Sequence, residues 1–199
     1  MMTWTPTKYV AKDYSALKGL QAISDDQVTV HLALYNGYVN RSNKLNETVA
    51  AMLADGKSGT AEYQELKRRA GWEHNGVLLH EFYFDNLAPG GRGTGKESAF
   101  GEAISRQFGD FDTWKADLLG TAKAPGVGWA VTYFDPSRKQ FDNYWIDRHD
   151  VGHPAGGRPI LVLDLWEHAW SVYLKPTERA KYLDDFFANV DWETVASRL

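Results

Sequence analysis

The chain has 199 residues, 43% of them hydrophobic and 14% aromatic, which is enough to bury a sizeable core in one compact domain or two small ones packed together. Its formal net charge of -4 gives no basic footprint for nucleic acid or an acidic membrane surface, and it contains no run of about 18 apolar residues that would span a bilayer. With no cysteine, disulfides, thiolate metal sites and thiol nucleophiles are excluded, so any metal must be held by His, Asp, Glu or water. The opening MMTWTPTKYVAKDY has no basic segment followed by an apolar one, so a soluble, cytoplasmic protein is expected.

Ser24-Asp25-Asp26-Gln27 has the spacing of a helix capping box. After it, apolar residues recur at 28, 31/32, 35, 38/39, 45, 49 and 52/53, predicting a long amphipathic helix. Residues 54–59 (ADGKSG) break that pattern, and a second helix is predicted from about Thr60 to Leu87, stopped by Ala88-Pro89-Gly90-Gly91. Shorter helical patterns follow at 97–107 and 110–122. The texture then changes to strand-like alternation at 129–134 and 141–146, separated by the turn Asp135-Pro136-Ser137-Arg138. A third strand is predicted at Pro159 to Asp164, and a C-terminal helical region from about 166 to 197. The expected class is α+β: a helical hairpin domain, 1–89, followed by an α/β domain, 90–199, with the glycine-rich loop as boundary.

That loop, Gly90-Gly91-Arg92-Gly93-Thr94-Gly95-Lys96, matches a phosphate-binding loop through its lysine. Glu97 stands where a magnesium-binding Ser or Thr is needed, and a helix precedes it in place of a strand. It reads as a linker.

Six histidines occur, at 31, 74, 80, 149, 153 and 168. His31 and His80 lie in the apolar stripes of the two long helices, where a hydrogen-bonded core histidine is the plain reading of either taken alone. His74 reads as a surface residue and His153, in VGHPAGG, as a solvated loop histidine. Asp164 ends the third predicted strand, and the turn through Leu165 and Trp166 brings His168 back beside it. An ionised aspartate there costs several kcal/mol unless a cation or hydrogen bonds compensate it. A competing reading makes Asp164 the N-cap of the last helix, with Glu167 as its capping-box partner. Taken together, three imidazoles and one carboxylate form a ligand set for a first-row transition metal; zinc in a closed site would accept the same four.

The segments His31-x3-Tyr35-x-Gly37-Tyr38-Val39, His80-Glu81-Phe82-Tyr83-Phe84-x2-Leu87-Ala88-Pro89, Gly126-x-Gly128-Trp129 and, above all, Asp164-Leu165-Trp166-Glu167-His168-Ala169 resemble the iron/manganese superoxide dismutase family, over nearly the whole chain. The resemblance implies a helical hairpin followed by an α/β domain with a three-stranded antiparallel sheet. It implies one Fe or Mn ion, iron being favoured, held between the two by His31, His80, Asp164 and His168, with solvent as fifth ligand. Superoxide would be the substrate and a homodimer or homotetramer the assembly. Tyr38 matches the family's gateway tyrosine, although it follows His31 by one residue fewer than in the commonest members. Trp129 and Trp166 match aromatic walls of the pocket, and Glu167 a residue that reaches the other subunit's ligand histidine. The family's glutamine donor to the solvent is missing: Gly76 holds its helical position, and His149 is expected to replace it from the sheet side. An interface His/Tyr pair is replaced by Tyr35 and Ser171, which retain the capacity to hydrogen-bond. Arg179 resembles a substrate-attracting arginine, shifted by about one position.

Overall fold

The structure, a computed structural model, describes residues 4–199. Two long helices come first, α1 (Asp25–Ala54) and α2 (Ala61–Asp85), joined by a short turn and packed along one another. Ser24 caps α1 by accepting from the Gln27 amide at 3.1 Å, and Thr60 caps α2 in the same way from Tyr63. The buried face of α1 includes Val28, His31, Tyr35, Tyr38, Ser42, Leu45, Val49 and Met52, spaced alternately by three and four residues. That is the heptad spacing of a helix packed lengthwise against a neighbour, and it puts His31 and Tyr38 at equivalent positions two turns apart.

Two shorter helices follow, α3 (Ala99–Phe108) and α4 (Phe111–Ala122), then strands β1 (Trp129–Asp135), β2 (Gln140–Ile146) and β3 (Arg158–Asp164). The sheet is antiparallel in the order β2-β1-β3, so β1 is central. Pro159, which has no amide hydrogen for a ladder, sits on edge strand β3 beside a register shift at Thr132/Tyr133. The register sets Trp129 opposite both Ile146 and Asp164. One end of the sheet therefore gathers the start of β1, the exit of β2 into the loop 147–157, and the carboxylate that ends β3.

The helical region expected at 166–197 is a series of short pieces. Single 3-10 turns at Glu167–Ala169 and Pro176–Glu178 precede α5 (Arg179–Phe187) and α6 (Trp192–Ala196). Pro176 and the inward turn at His168 interrupt any longer helix. The capping box at Ser24 is also only half formed, because the Gln27 side chain does not return to its own helix end. It is buried and donates from Nε2 to the His168 carbonyl at 2.5 Å, while its Oε1 accepts from the Val172 amide at 2.9 Å. The start of α1 is thereby fastened to the turn after β3. The glycine-rich loop is fastened too: Leu87 and Arg92 bridge to Val190 and Asp191.

Candidate metal centre

His31 from α1, His80 from α2, Asp164 from the end of β3 and His168 from the turn beyond offer one ligand atom each, all within 4.8 Å of one another. Around Asp164 Oδ2 lie the Nε2 atoms of His31 at 3.1 Å, His168 at 3.2 Å and His80 at 3.8 Å. Ligand bonds of about 2.1 Å would separate neighbouring donor atoms by about 3 to 3.6 Å, so the spacing suits a shared cation. The other aspartate oxygen is engaged elsewhere, accepting from the Trp166 amide at 2.8 Å. Tyr182 donates to the Asp164 carbonyl at 2.7 Å and the Leu165 amide donates to Gly128 at 2.9 Å, which fixes the strand end. A Cβ at Gly128, whose φ is +138°, would sit 2.2 Å from the Ile146 carbonyl oxygen, so only glycine passes there.

His80 gives this cluster its clearest opening for a cation. Its Nδ1 lies 2.6 Å from the Gly76 carbonyl, which can only accept, so Nδ1 carries the proton. Nε2 is left with a bare lone pair, fully buried and without a hydrogen-bond partner among the described residues. An unpaired buried acceptor of this kind costs about 1–3 kcal/mol, a penalty that a metal bond removes. Burial lowers the pKa of His31, and burial with the neighbouring His31 lowers that of His80 well below the usual histidine range. For Asp164, burial alone would raise the pKa, but the His168 and His31 imidazoles reverse it and hold the carboxyl below the usual carboxylate range. Neutral His31 and His80 beside an ionised carboxylate are suited to receive a metal cation.

Beside the cluster runs a line of three side chains. Trp129 Nε1, which can only donate, lies 3.1 Å from His149 Nδ1; the other nitrogen, Nε2, lies 2.6 Å from the Tyr38 hydroxyl. Burial pushes the His149 pKa down to about 4, so the ring is neutral at pH 7 and its single proton is on Nε2, donated to Tyr38. The Tyr38 ring in turn lies 5.2 Å from that of His80. Gly76 makes this possible, because a Cβ there would come within 2.3 Å of the Tyr38 ring. Tyr38 thus fills the space that a larger residue at position 76 would occupy.

Other expectations are met unevenly. Trp166 stacks against His168 with centroids 5.9 Å apart and planes at 12°. Glu167 is exposed and makes no side-chain hydrogen bond or ion pair among the described residues. Asp164 caps no regular helix, since only a 3-10 turn without a side-chain cap follows it. His153, expected as a solvated loop residue, is half-buried in its loop, where its ring contacts the His149 carbonyl and the Tyr133 hydroxyl, each at 2.7 Å. His74 is exposed, as expected, with Nδ1 2.6 Å from the Tyr9 hydroxyl. Tyr35 is spent within its own chain, donating to Glu81 at 2.8 Å and accepting from the Lys12 amide at 3.0 Å, so it is not held in reserve for Ser171. Arg179 is also committed, donating to the Ala122 and Ala124 carbonyls at 3.1 and 3.3 Å.

Cationic side chains near the Tyr38 line come from elsewhere. The Arg41 guanidinium lies 4.5 Å from the centre of the Tyr38 ring, and those of Arg69 and Arg148 lie 4.8 and 4.9 Å from Trp72, whose indole is 4.4 Å from His149. Glu73, buried, anchors both Arg41 and Arg69. Spacing alone did not reveal these arginines, because they lie on the outer faces of the helices and in the 147–157 loop. A cleft of about 580 Å³, lined by Arg106, Arg138, Lys139 and Arg158 among others, lies at the far end of the sheet and shares no residue with the cluster.

The sequence matches known proteins along its length. Residues 96–198 match the family model described as iron/manganese superoxide dismutases, C-terminal domain. A protein of Aquifex aeolicus named superoxide dismutase [Fe] is 35% identical over 196 residues, covering 96% of this chain and 91% of that protein. Superoxide dismutase [Mn] 2 of Haloferax volcanii is 34% identical, covering 94% and 90%. Superoxide dismutase [Fe] of Saccharolobus solfataricus is 34% identical, covering 89% and 85%.

Proposed function

We propose, for a chain that belongs to the iron/manganese superoxide dismutase family, that His31, His80, Asp164 and His168 hold one iron ion per subunit and that Tyr38, His149 and Trp129 serve protons beside it. The activity is that of a superoxide dismutase: two superoxide anions and two protons give oxygen and hydrogen peroxide. Held by these four residues, a redox-active ion would supply the one-electron chemistry that the reaction needs. The protein's own part is to hold charge and to move protons. As ligands, three imidazoles and one carboxylate would bring a single negative charge to a bound cation and so limit its net charge. Tyr38 Oη, receiving the His149 Nε2 proton, has its own hydrogen to offer toward the pocket. Burial pushes the Tyr38 pKa up to about 12, so that hydrogen is present throughout the physiological range. Arg41, Arg69 and Arg148 set a cationic rim on the same side, suited to attract a small anion.

Iron is the metal of this reading, supported by the iron named for the Aquifex and Saccharolobus proteins, with the manganese of the Haloferax protein as the alternative. The working form is a cytoplasmic homodimer or homotetramer, acting without nucleic acid or membrane. No described helix is long and apolar enough to cross a membrane. Two features support assembly. Glu167 is exposed and free to approach the part-exposed His168 of a second copy, and Val30 and Leu34, one turn apart on α1, are 43% and 38% exposed. The proposed division at residue 89/90 rests on the change from an all-helical half to one that carries the sheet.

The observation that carries the assignment is the bare, buried His80 Nε2 facing Asp164. Metal analysis of purified protein, with superoxide dismutation measured after reconstitution with iron, manganese or zinc, tests it. About one redox metal per subunit and activity with iron are expected; stoichiometric zinc without dismutation would overturn it.

A further inference from the structure

We propose that His153 is the positioning residue for His149. The inference rests on the reading of His149 as part of the proton line, and it concerns what holds that imidazole in place. His149 is buried, yet it is carried by the irregular segment between β2 and β3, which has no sheet ladder to fix it. Its ring faces Tyr38 and Trp129; its backbone faces the other way, toward His153.

The chemistry of the His153 contacts assigns its protons. The His149 carbonyl can only accept, so His153 Nε2, 2.7 Å away, carries a hydrogen and donates it. The other nitrogen, Nδ1, lies 2.7 Å from the Tyr133 hydroxyl, which donates to it. Tyr133 is buried in β1, and burial raises its pKa, so the phenol keeps its hydrogen. The direction runs Tyr133 O–H to His153 Nδ1, then His153 Nε2–H to the His149 carbonyl. Asn75 of α2 flanks the same Nε2 at 3.4 Å. The imidazole therefore acts as a rigid spacer with a donor at one end and an acceptor at the other, joining the loop to the central strand.

The surrounding glycines are consistent with a loop built for close approach. At Gly157 a Cβ would stand 2.9 Å from the Tyr133 ring, and at Gly152, with φ +101°, it would stand 3.2 Å from the Trp145 carbonyl oxygen. The loop is thus pressed onto both neighbouring strands where His153 makes its link. Releasing that link frees the backbone at 149 and loosens the 2.6 Å contact between His149 and Tyr38.

The test uses metal-loaded protein and four variants: His153→Ala, His153→Gln, Tyr133→Phe and His149→Ala. Amide hydrogen exchange over residues 147–151 reports the loop directly, whatever His149 does in the reaction. His153→Ala is expected to keep its metal and speed exchange there by about tenfold or more. It should also lower turnover by about three- to tenfold and move the pH midpoint of the metal's visible absorption. His153→Gln, which retains a donor and an acceptor, should recover most of both effects; Tyr133→Phe should give a smaller change in the same direction. Unchanged exchange in His153→Ala would overturn the proposal, as would equal impairment of the Ala and Gln variants through loss of metal. If instead His149→Ala leaves turnover and spectrum unchanged while His153→Ala still loosens the loop, the proton-line reading fails and the fastening stands.

Discussion

The four-residue cluster and the Tyr38–His149–Trp129 line lie side by side but are built differently. Each cluster member stands on or next to a regular element: a heptad position of α1, the facing stripe of α2, the last residue of β3 and the turn it enforces. In the line, Tyr38 and Trp129 are equally anchored, but His149 hangs from a loop and depends on contacts of its backbone. The difference separates what must be rigid from what must be adjustable. The cluster's geometry is set by elements that share the global stability of the fold, whereas His149 is placed by a segment with fewer constraints.

Removing a cluster residue is the most severe way to break that comparison. Asp164→Ala takes away the only negative charge among three imidazoles, and its effect should exceed the roughly 10- to 100-fold losses typical of residues that only support a ligand. Metal content after dialysis is expected to fall to background, with activity lost in parallel; stoichiometric metal and normal turnover would remove Asp164 from the site. Next comes the seam between the two regions. Gly76→Ala puts a Cβ 2.3 Å from the Tyr38 ring, where overpacking costs about 1–3 kcal/mol and outweighs the ~1 kcal/mol that alanine normally gains over glycine in a helix. A lower Tm and weaker turnover with unchanged metal content are expected. A more stable protein with full activity would mean that Tyr38 moves freely there.

The smallest effect is read from metal-free protein. Burial depresses the pKa of His31 and His80, and that of His149 to about 4, below the value near 6.5 of the unfolded chain. In that window the unfolded state binds more protons, so stability is fully present above pH 6.5 and declines as pH falls toward 4. Each such histidine contributes at most about 1.4 kcal/mol per pH unit to the slope. Urea unfolding of metal-free protein at pH 7.5, 6.5, 5.5 and 4.5 should show the decline, and His149→Gln should flatten it. A flat profile in the parent would contradict the burial of neutral imidazoles.

How much could be read without coordinates follows the same division. The alternation of three and four residues in α1, the capping serine and the run into Asp164 are periodic or local signals, and they placed His31, His80, Asp164 and His168 in regular elements or at their ends. The resemblance then joined them into one site. His153 misled because loop composition predicts solvation, whereas its hydrogen bonds are decided by where Tyr133 and the His149 carbonyl lie in space. Gln27 misled for a related reason: its spacing from Ser24 is that of a local cap, but its amide found partners 141 and 145 residues away. Tyr35 and Arg179 likewise took partners that no short-range pattern specifies.

The Gln27 bond bears on the order in which the molecule is made. Synthesis proceeds from the N-terminus, and the paired helices, with two of the imidazoles, leave the ribosome long before Asp164 and His168 are translated. A nascent chain can therefore offer an incoming ion only half a coordination sphere and no carboxylate from this set. The clasp from Gln27 to the His168 carbonyl closes after the last third of the polypeptide is available, so the two halves of the cluster meet late.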